Sequence, residues 1–138
     1  SNMLLNVVPM GDGTLRIIDR GILEIIGQWT KINGEAVYNA RPTDIAVTRN
    51  DKDFILKNGN NYYLFCFELP MVADKNVAIF GNAEYTSLFN LKDKIKEIKW
   101  LDNGENVEFE QNGENVKVQL VPFTYGRNLV VRVAKILC

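Results

Sequence analysis

The chain has 138 residues, of which 46% are hydrophobic and 24% charged, with two Cys and no His. This composition is typical of one ordinary globular domain with its own core, and it excludes a disordered chain. Sixteen Lys and Arg against seventeen Asp and Glu leave a formal net charge of -1. Because there is no basic excess to attract phosphate, we expect no nucleic-acid partner.

The absence of histidine removes a large part of enzyme chemistry. Histidine is the usual general base near neutral pH and the commonest metal ligand, so Ser-His-Asp and Cys-His catalysis within the chain are excluded. Cys66 and Cys138 are too few for a four-thiolate zinc site. We therefore expect no metal or cofactor in the chain. It also lacks a run of about 18 apolar residues, so no membrane-spanning segment is expected.

Two regions of different periodicity follow each other. Residues 3–9 form a short apolar run that ends at Pro9 and a Gly-Asp-Gly turn, a pattern typical of a buried strand. Apolar residues then recur at helical spacing and predict a helix over residues 18–33, with Asn33-Gly34 as its stop. The apolar residues of this helix stripe are Ile22, Ile25, Ile26, Trp29 and Ile32.

From Arg41-Pro42 onward the period is two, which is typical of strands. The predicted strands are 45–49, 53–57, 62–69, 76–80, 95–101, 107–111, 116–121 and 129–136. Asn-Gly pairs at 58–59, 103–104 and 112–113 predict tight hairpin turns, and 70–75 and 81–94 are predicted long loops. The predicted fold class is mainly β: an antiparallel β-sandwich of about eight strands, preceded by a short strand and one α-helix.

The predicted strand 62–69 is apolar on both faces, unlike its neighbours. One face consists of Tyr62, Leu64 and Cys66, and the other of Tyr63, Phe65, Phe67 and Leu69. We expect the sandwich core to cover one face, and the helix or a domain outside this chain to cover the other. Cys66 is then a small buried hydrophobe and not a nucleophile.

Residues 4–42 carry four motifs in a specific order. They are LLNVVPMGDG at 4–13, IIGQW at 25–29, NGEAVY at 33–38 and RP at 41–42. In order and spacing they resemble the α-L-fucosidases of glycoside hydrolase family 29, whose pattern is LLNVGP, an Asp-Gly turn, IGxW, NGEAIY and RP. Two positions depart from that pattern: Val8 replaces a Gly, and Ile18 stands where a Pro commonly opens the helix.

The resemblance implies that the chain is the C-terminal part of a larger enzyme. The family has a (β/α)8 catalytic barrel followed by an antiparallel β-sandwich. On this resemblance residues 1–40 are the last barrel strand and helix, residues 41–138 are the sandwich, and the other barrel units lie before Met3. The family's nucleophile, acid/base and fucose-binding residues then fall outside the chain, so the chain alone is expected to be inactive. The family's members are often secreted, periplasmic or lysosomal, which leaves the compartment open.

The resemblance leaves two functions for the sandwich. It supports the catalytic barrel, through faces such as that of Tyr62, Leu64 and Cys66, or it is a carbohydrate-binding module for fucosylated glycans. In the second case the candidate sugar contacts are the loop aromatics Tyr85 and Phe89, together with Trp100. An immunoglobulin-like interaction domain unrelated to sugar is a third alternative, which the resemblance disfavours.

The remaining candidates have a structural explanation beside the functional one. Asp12 follows the predicted barrel strand and is a candidate for the active-site rim of the intact enzyme, although an Asp-Gly turn also explains it. Glu24 and Glu35 are not expected to be a catalytic pair, because Glu24 lies off the apolar stripe. Interspersed acids make the lysine cluster a predicted solvated face. Its members are Lys92, Lys94, Lys96 and Lys99.

The apolar helix stripe needs a cover, because each buried aliphatic side chain contributes about 1.5–3 kcal/mol. In the isolated chain, the stripe can be buried in two ways. The helix either folds back onto the sandwich or forms a homodimer with residues 18–33 of a second copy.

Overall fold

A computed structural model describes residues 5–69, 71–72, 85–124 and 131–138, with the backbone alone at 71–72 and 123–124. The predicted strand 76–80 lies outside the described residues. The chain divides into two compact units, Ser1–Ile32 and Asn33–Cys138. The boundary falls inside the helix, before the predicted domain boundary at residue 40. The assignment of residues 1–40 to a barrel remnant stays a prediction.

The described part of the first unit contains a turn and most of the helix. The predicted strand 3–9 is wrong within these residues, because they pair only through an isolated bridge between Pro9 and Leu15. A strand needs a neighbouring strand along its length, and the described residues of this unit supply none. Leu5 and Val8 are consequently 47% and 69% exposed.

The helix α1 spans Ile17–Val37 and is longer than predicted at both ends. It runs through the predicted stop at Asn33-Gly34, where Asn33 and Gly34 are both buried. A Cβ on Gly34 would lie 3.0 Å from the Tyr38 ring, so glycine allows a close approach there. The helix ends before Asn39, whose φ of 63° is the left-handed conformation that commonly follows a helix.

The second unit is built from strands. Within the described residues these are β1 (Arg41–Pro42), β2 (Phe54–Asn58), β3 (Asn61–Cys66), β4 (Met71–Val72), β5 (Thr86–Asn90), β6 (Glu97–Trp100), β7 (Glu108–Asn112), β8 (Asn115–Gln119), β9 (Phe123–Thr124) and β10 (Arg132–Leu137). One antiparallel sheet has the order β1-β2-β3-β10-β6 and a second the order β5-β8-β7, while β4 and β9 form a separate parallel pair. The prediction of one helix followed by about eight antiparallel strands is confirmed.

Two of the predicted Asn-Gly turns close two-residue hairpins. Asn58 pairs with Asn61 in the β2–β3 hairpin, and Asn112 pairs with Asn115 in the β7–β8 hairpin. In each, the glycine is the first loop residue, with φ of 60° at Gly59 and 62° at Gly113. The asparagine belongs to the strand and only the glycine takes the positive φ, the arrangement of a type II′ turn.

The core lies between the two sheets. The five-stranded sheet contributes the residues that alternate inward along β2, β3, β6 and β10, and the three-stranded sheet contributes Phe89, Val116 and Val118. Trp100 and Ile98 are 1% exposed. β3 is buried on both faces, as its two apolar faces predicted.

Some elements differ from the predicted strands and loops. β4 lies inside the predicted loop 70–75. Residues 45–49 form no strand, although Ile45 and Val47 pack against the core from an irregular segment. β5 lies inside the predicted loop 81–94. Its inward residues are Ser87 and Phe89, so the small polar Ser87 breaks the apolar alternation that identifies a strand.

Burial in this core raises the pKa of the Cys66 thiol far above its ordinary value of 9.0. The unfolded chain therefore releases this proton near pH 9 while the folded chain keeps it, so the folded state loses stability as the pH rises. We expect the free energy of unfolding to fall by about 1 kcal/mol between pH 9 and 10 from this group alone. Urea unfolding at both pH values measures the fall.

Cys66→Ala should remove this contribution, whereas Cys138→Ser should leave it in place, because Cys138 is only partly buried. An equal fall in the protein with and without the Cys66 thiol would show that other groups cause the pH dependence.

Candidate functional site

The outer face of the five-stranded sheet is the most distinctive surface of the second unit. The face that was predicted to contact a barrel, formed by Tyr62, Leu64 and Cys66, instead points into the sandwich core. Because side chains alternate along a strand, Tyr63 and Phe65 lie on the opposite face. Both are buried, at 2% and 3% exposed, although neither belongs to the core cluster. The sheet therefore has a second apolar side, outside the sandwich core.

The last helical turn is fixed to this outer face by polar contacts. The Lys135 ammonium donates to Glu35 Oε2 at 2.8 Å, and the Tyr63 hydroxyl lies 3.5 Å from the same oxygen. Asn58 Nδ2 donates to the backbone carbonyls of Glu35 and Tyr38 at 2.9 and 3.1 Å. The hydrogen bond to Glu35 raises the pKa of Lys135, and burial raises the pKa of Tyr63. Residues 33–38 thus form one body with the sheet.

Next to this contact the outer face is aromatic. The register places Phe54 opposite Phe65, and Phe65 opposite Val133 of β10. The rings of Phe54 and Phe65 stack with centroids 4.5 Å apart, and Phe67 lies 5.9 Å from Phe54. Phe54 is still 39% exposed. We call Phe54, Phe65 and Phe67 the aromatic patch.

A buried ion pair holds the segment beside the aromatic patch. Arg49 Nε and Nη2 donate to the two carboxylate oxygens of Asp53 at 2.7 and 2.8 Å, with side chains 5% and 0% exposed. Asp53 Oδ1 also accepts from the Phe67 backbone amide at 2.8 Å, and Arg49 donates to the Phe67 carbonyl. The ion pair thereby fixes the end of β3 against the segment that precedes β2.

The predicted sugar contacts lie in different environments. Trp100 and Phe89 are 1% and 4% exposed in the core, and Arg132 lies over the Trp100 ring at 3.9 Å. Rings buried to this extent offer no face on which a pyranose could stack. Tyr85 is half-buried just before β5, and its hydroxyl has no hydrogen-bond partner in the part of the chain that the structure describes. The structure does not join these three rings into an exposed platform.

The other predicted residues have local structural roles. Asp12 Oδ1 accepts from the amide and hydroxyl of Thr14 at 3.0 and 2.7 Å, and these bonds lower the pKa of Asp12. A rim role for Asp12 stays a prediction. Glu24 pairs with Arg20 on the exposed helix surface, and Glu35 holds Lys135. The lysine cluster forms a solvated face as predicted, with Lys92, Lys94 and Lys96 exposed.

Neither a metal centre nor a membrane span is found among the described residues. There, no three His, Cys, Asp or Glu side chains approach each other closely enough to hold a metal ion. In those same segments no helix has the length and apolarity that crossing a membrane requires.

Sequence comparison relates a short part of the chain to fucosidases. The tissue α-L-fucosidase of Mus musculus is 34% identical over 68 residues, which are 48% of this chain and 15% of the mouse protein. The plasma α-L-fucosidase of Homo sapiens is 43% identical over 37 residues, 27% of this chain and 8% of the human protein. No protein-family profile matches the chain.

Structural comparison extends the similarity to almost the whole chain. A Thermotoga maritima α-fucosidase matches 99% of this chain with a TM-score of 0.69 and 19% identity, and 30% of its own chain is covered. A family 29 α-L-fucosidase from Bacteroides thetaiotaomicron matches 98% with a TM-score of 0.71, with 28% of its chain covered. The predicted resemblance to family 29 is thus confirmed at the level of the fold. The fold of the chain matches a part of each of these enzymes and spans less than a third of their structures.

Proposed function

We propose that this chain is the non-catalytic C-terminal part of an α-L-fucosidase-like glycoside hydrolase, and that its sandwich supports the catalytic barrel. The observation that carries the proposal is the structural match over 99% of this chain to 30% of a fucosidase chain. A chain without histidine that covers so small a share of an enzyme is better suited to a supporting role than to catalysis.

The outer face of the five-stranded sheet supports this role. Residues 33–38, the last helical turn, are held on the sheet by the contact between Lys135 and Glu35. Beside it, the aromatic patch leaves Phe54 39% exposed. Phe54 stacks on the buried Phe65 and leaves part of its own ring accessible, which suits a contact with a second apolar surface. We assign the barrel as the partner of this surface.

An activity assay tests the non-catalytic assignment. The purified chain should release no nitrophenol from 4-nitrophenyl α-L-fucoside, whereas the reading frame extended upstream by the remaining barrel units should do so. Turnover by the chain alone, at a rate that purification does not reduce, would contradict the proposal. An extended reading frame that encodes no strand-helix repeats would contradict it as well.

The exposed Phe54 gives a prediction for the barrel contact. In the chain alone Phe54→Asp should cost about 1.5–3 kcal/mol, because it removes both the stacking on Phe65 and the buried part of the ring. In the longer protein the cost should rise by about a further 1 kcal/mol, because the 39% of the side chain that is exposed in the chain alone is then buried. Denaturant unfolding of both proteins measures the difference. Leu88→Asp is the matched control, since Leu88 is 45% exposed on the other sheet. Equal costs of Phe54→Asp in the two proteins would exclude the aromatic patch from the barrel contact.

The helix stripe gives a second prediction. Ile22 and Ile25 are 49% and 47% exposed, so the chain without a barrel presents apolar surface that favours association. We expect concentration-dependent dimers through residues 18–33 in sedimentation velocity. Ile22→Glu with Ile25→Glu should return the chain to a monomer without a change in its circular dichroism. Dimers that persist in this variant would place the contact elsewhere.

A further inference from the structure

A groove runs along the edge of the sandwich where its two sheets meet. β6 is an edge strand of the five-stranded sheet and β7 an edge strand of the three-stranded sheet. After β6 the chain turns at Gly104 and pairs back on it, with Trp100 N donating to Glu105 O at 3.0 Å and Val107 N to Ile98 O at 2.8 Å. It then passes into β7, and the change of sheet opens the groove beside the strand.

The groove has the size of a small-ligand site and a mainly polar lining. Its volume is about 600 Å³, within the usual range for ligand pockets. Its apolar lining is Ile98, Val107 and the half-buried Phe109. Its polar lining is Lys96, Glu97, Asn106, Glu108, Glu110, Lys117 and Gln119. Ile98 and Val107 are 1% and 3% exposed, so Phe109 is the apolar residue of the lining that offers surface to a ligand. Carboxylate, amide and ammonium groups form the rest of the accessible lining.

Several of these polar groups have unused hydrogen-bonding capacity. Glu97 is paired with Lys99 at 2.7 Å. By contrast, Glu108, Glu110 and Lys117 make no ion pair or side-chain hydrogen bond within the described residues. Glu110 stands directly opposite Lys117 in the β7–β8 register, yet the two do not pair. Both groups are therefore available to a ligand in the groove.

We propose that this groove binds a short neutral oligosaccharide. Three glutamates and two lysines nearly balance in charge, so the lining disfavours both an anionic ligand and a strongly basic one. A sugar offers vicinal hydroxyls, which carboxylate, amide and ammonium groups bind as donors and acceptors. It also offers an apolar C–H face, which suits the exposed part of Phe109. The site uses none of Tyr85, Phe89 and Trp100, and it is independent of barrel support.

The test is an NMR titration of the 138-residue chain with fucosyllactose, xylohexaose and laminarihexaose, each up to about 10 mM, since millimolar affinity is still measurable. At least one sugar should give saturable amide shifts confined to residues 106–110 and 117–119. Glu110→Ala and Lys117→Ala should each weaken binding about tenfold, the effect of one lost hydrogen bond to a charged group. Asn90→Ala is the matched control, because Asn90 is exposed on the same sheet outside the groove.

Two results would overturn the oligosaccharide proposal. No shift with any of the three sugars would overturn the proposal, and so would shifts that the Glu110 and Lys117 variants leave unchanged. A titration with a hexalysine peptide tests the alternative that the groove binds a basic segment. If the peptide alone shifts the groove amides, the groove binds basic segments and the sugar assignment is wrong. Neither result alters the fucosidase activity assay, so this proposal and the proposed function fail separately.

Discussion

Replacing Asp53 by Ala is expected to lower the free energy of unfolding by about 3–5 kcal/mol, the typical cost of breaking a buried ion pair from one side. The variant leaves the Arg49 guanidinium 5% exposed without its carboxylate, and it removes the acceptor of the Phe67 amide. Desolvation of an unpaired charge is the dominant cost, and the unpaired amide adds to it. Urea unfolding followed by tryptophan fluorescence measures the change.

A double variant separates the charge from the packing. Arg49→Met with Asp53→Leu removes both charges and keeps apolar volume, so it should recover most of the stability that Asp53→Ala loses. Asp51→Ala is the control for the loss of an acidic residue, because Asp51 is exposed in the same segment. A loss below about 1 kcal/mol in Asp53→Ala would mean that water or another group satisfies Arg49, and the ion pair would not be a structural anchor.

Replacing Phe89 by Ala is expected to cost about 3–5 kcal/mol, because the substitution empties a ring-sized space in the core. Phe89 is 4% exposed and belongs to the cluster between the two sheets. Its neighbour Leu88 points the other way along the same strand and is 45% exposed. Leu88→Ala should therefore change stability by no more than about 0.5 kcal/mol. Denaturant unfolding of the two variants tests which side chains of β5 point into the core.

This pair of variants also bears on the carbohydrate-binding alternative. A ring that served only to stack on sugar would be removed at little cost in stability. A cost for Phe89→Ala similar to that of Leu88→Ala would return Phe89 to the candidate sugar contacts. We expect the opposite, with Tyr85 as the one aromatic of the three that is not in the core.

The fold was largely predictable because its signals are local. The alternation of Val116 and Val118 with polar residues defines β8, and Gly59 and Gly113 mark the hairpins where a positive φ is needed. β5 could not be predicted from alternation, because the polar Ser87 occupies an inward position. Only the tertiary structure shows that this position is buried. The end of the helix could not be predicted either. Gly34 allows the Tyr38 ring to pack closely against the helix and does not end it.

The candidate site was less predictable than the fold. The prediction that β3 is covered on both faces is confirmed. The alternation of side chains does not tell which face points into the core, however. The face predicted to contact the barrel is the one that lies in the core. The groove beside β7 depends on the pairing of residues 105–107 with β6, which no local pattern encodes. Phe89 falls in a predicted loop, which makes its ring a candidate for sugar contact beside core packing, and the structure places it in the core.

The thermal unfolding of the longer protein, with and without residues 41–138, tests the central claim most directly. If the sandwich supports the barrel, its removal should lower the melting temperature of the barrel or prevent its soluble expression, with a parallel loss of fucosidase activity. An unchanged melting temperature and unchanged activity in the truncated protein would contradict the supporting role.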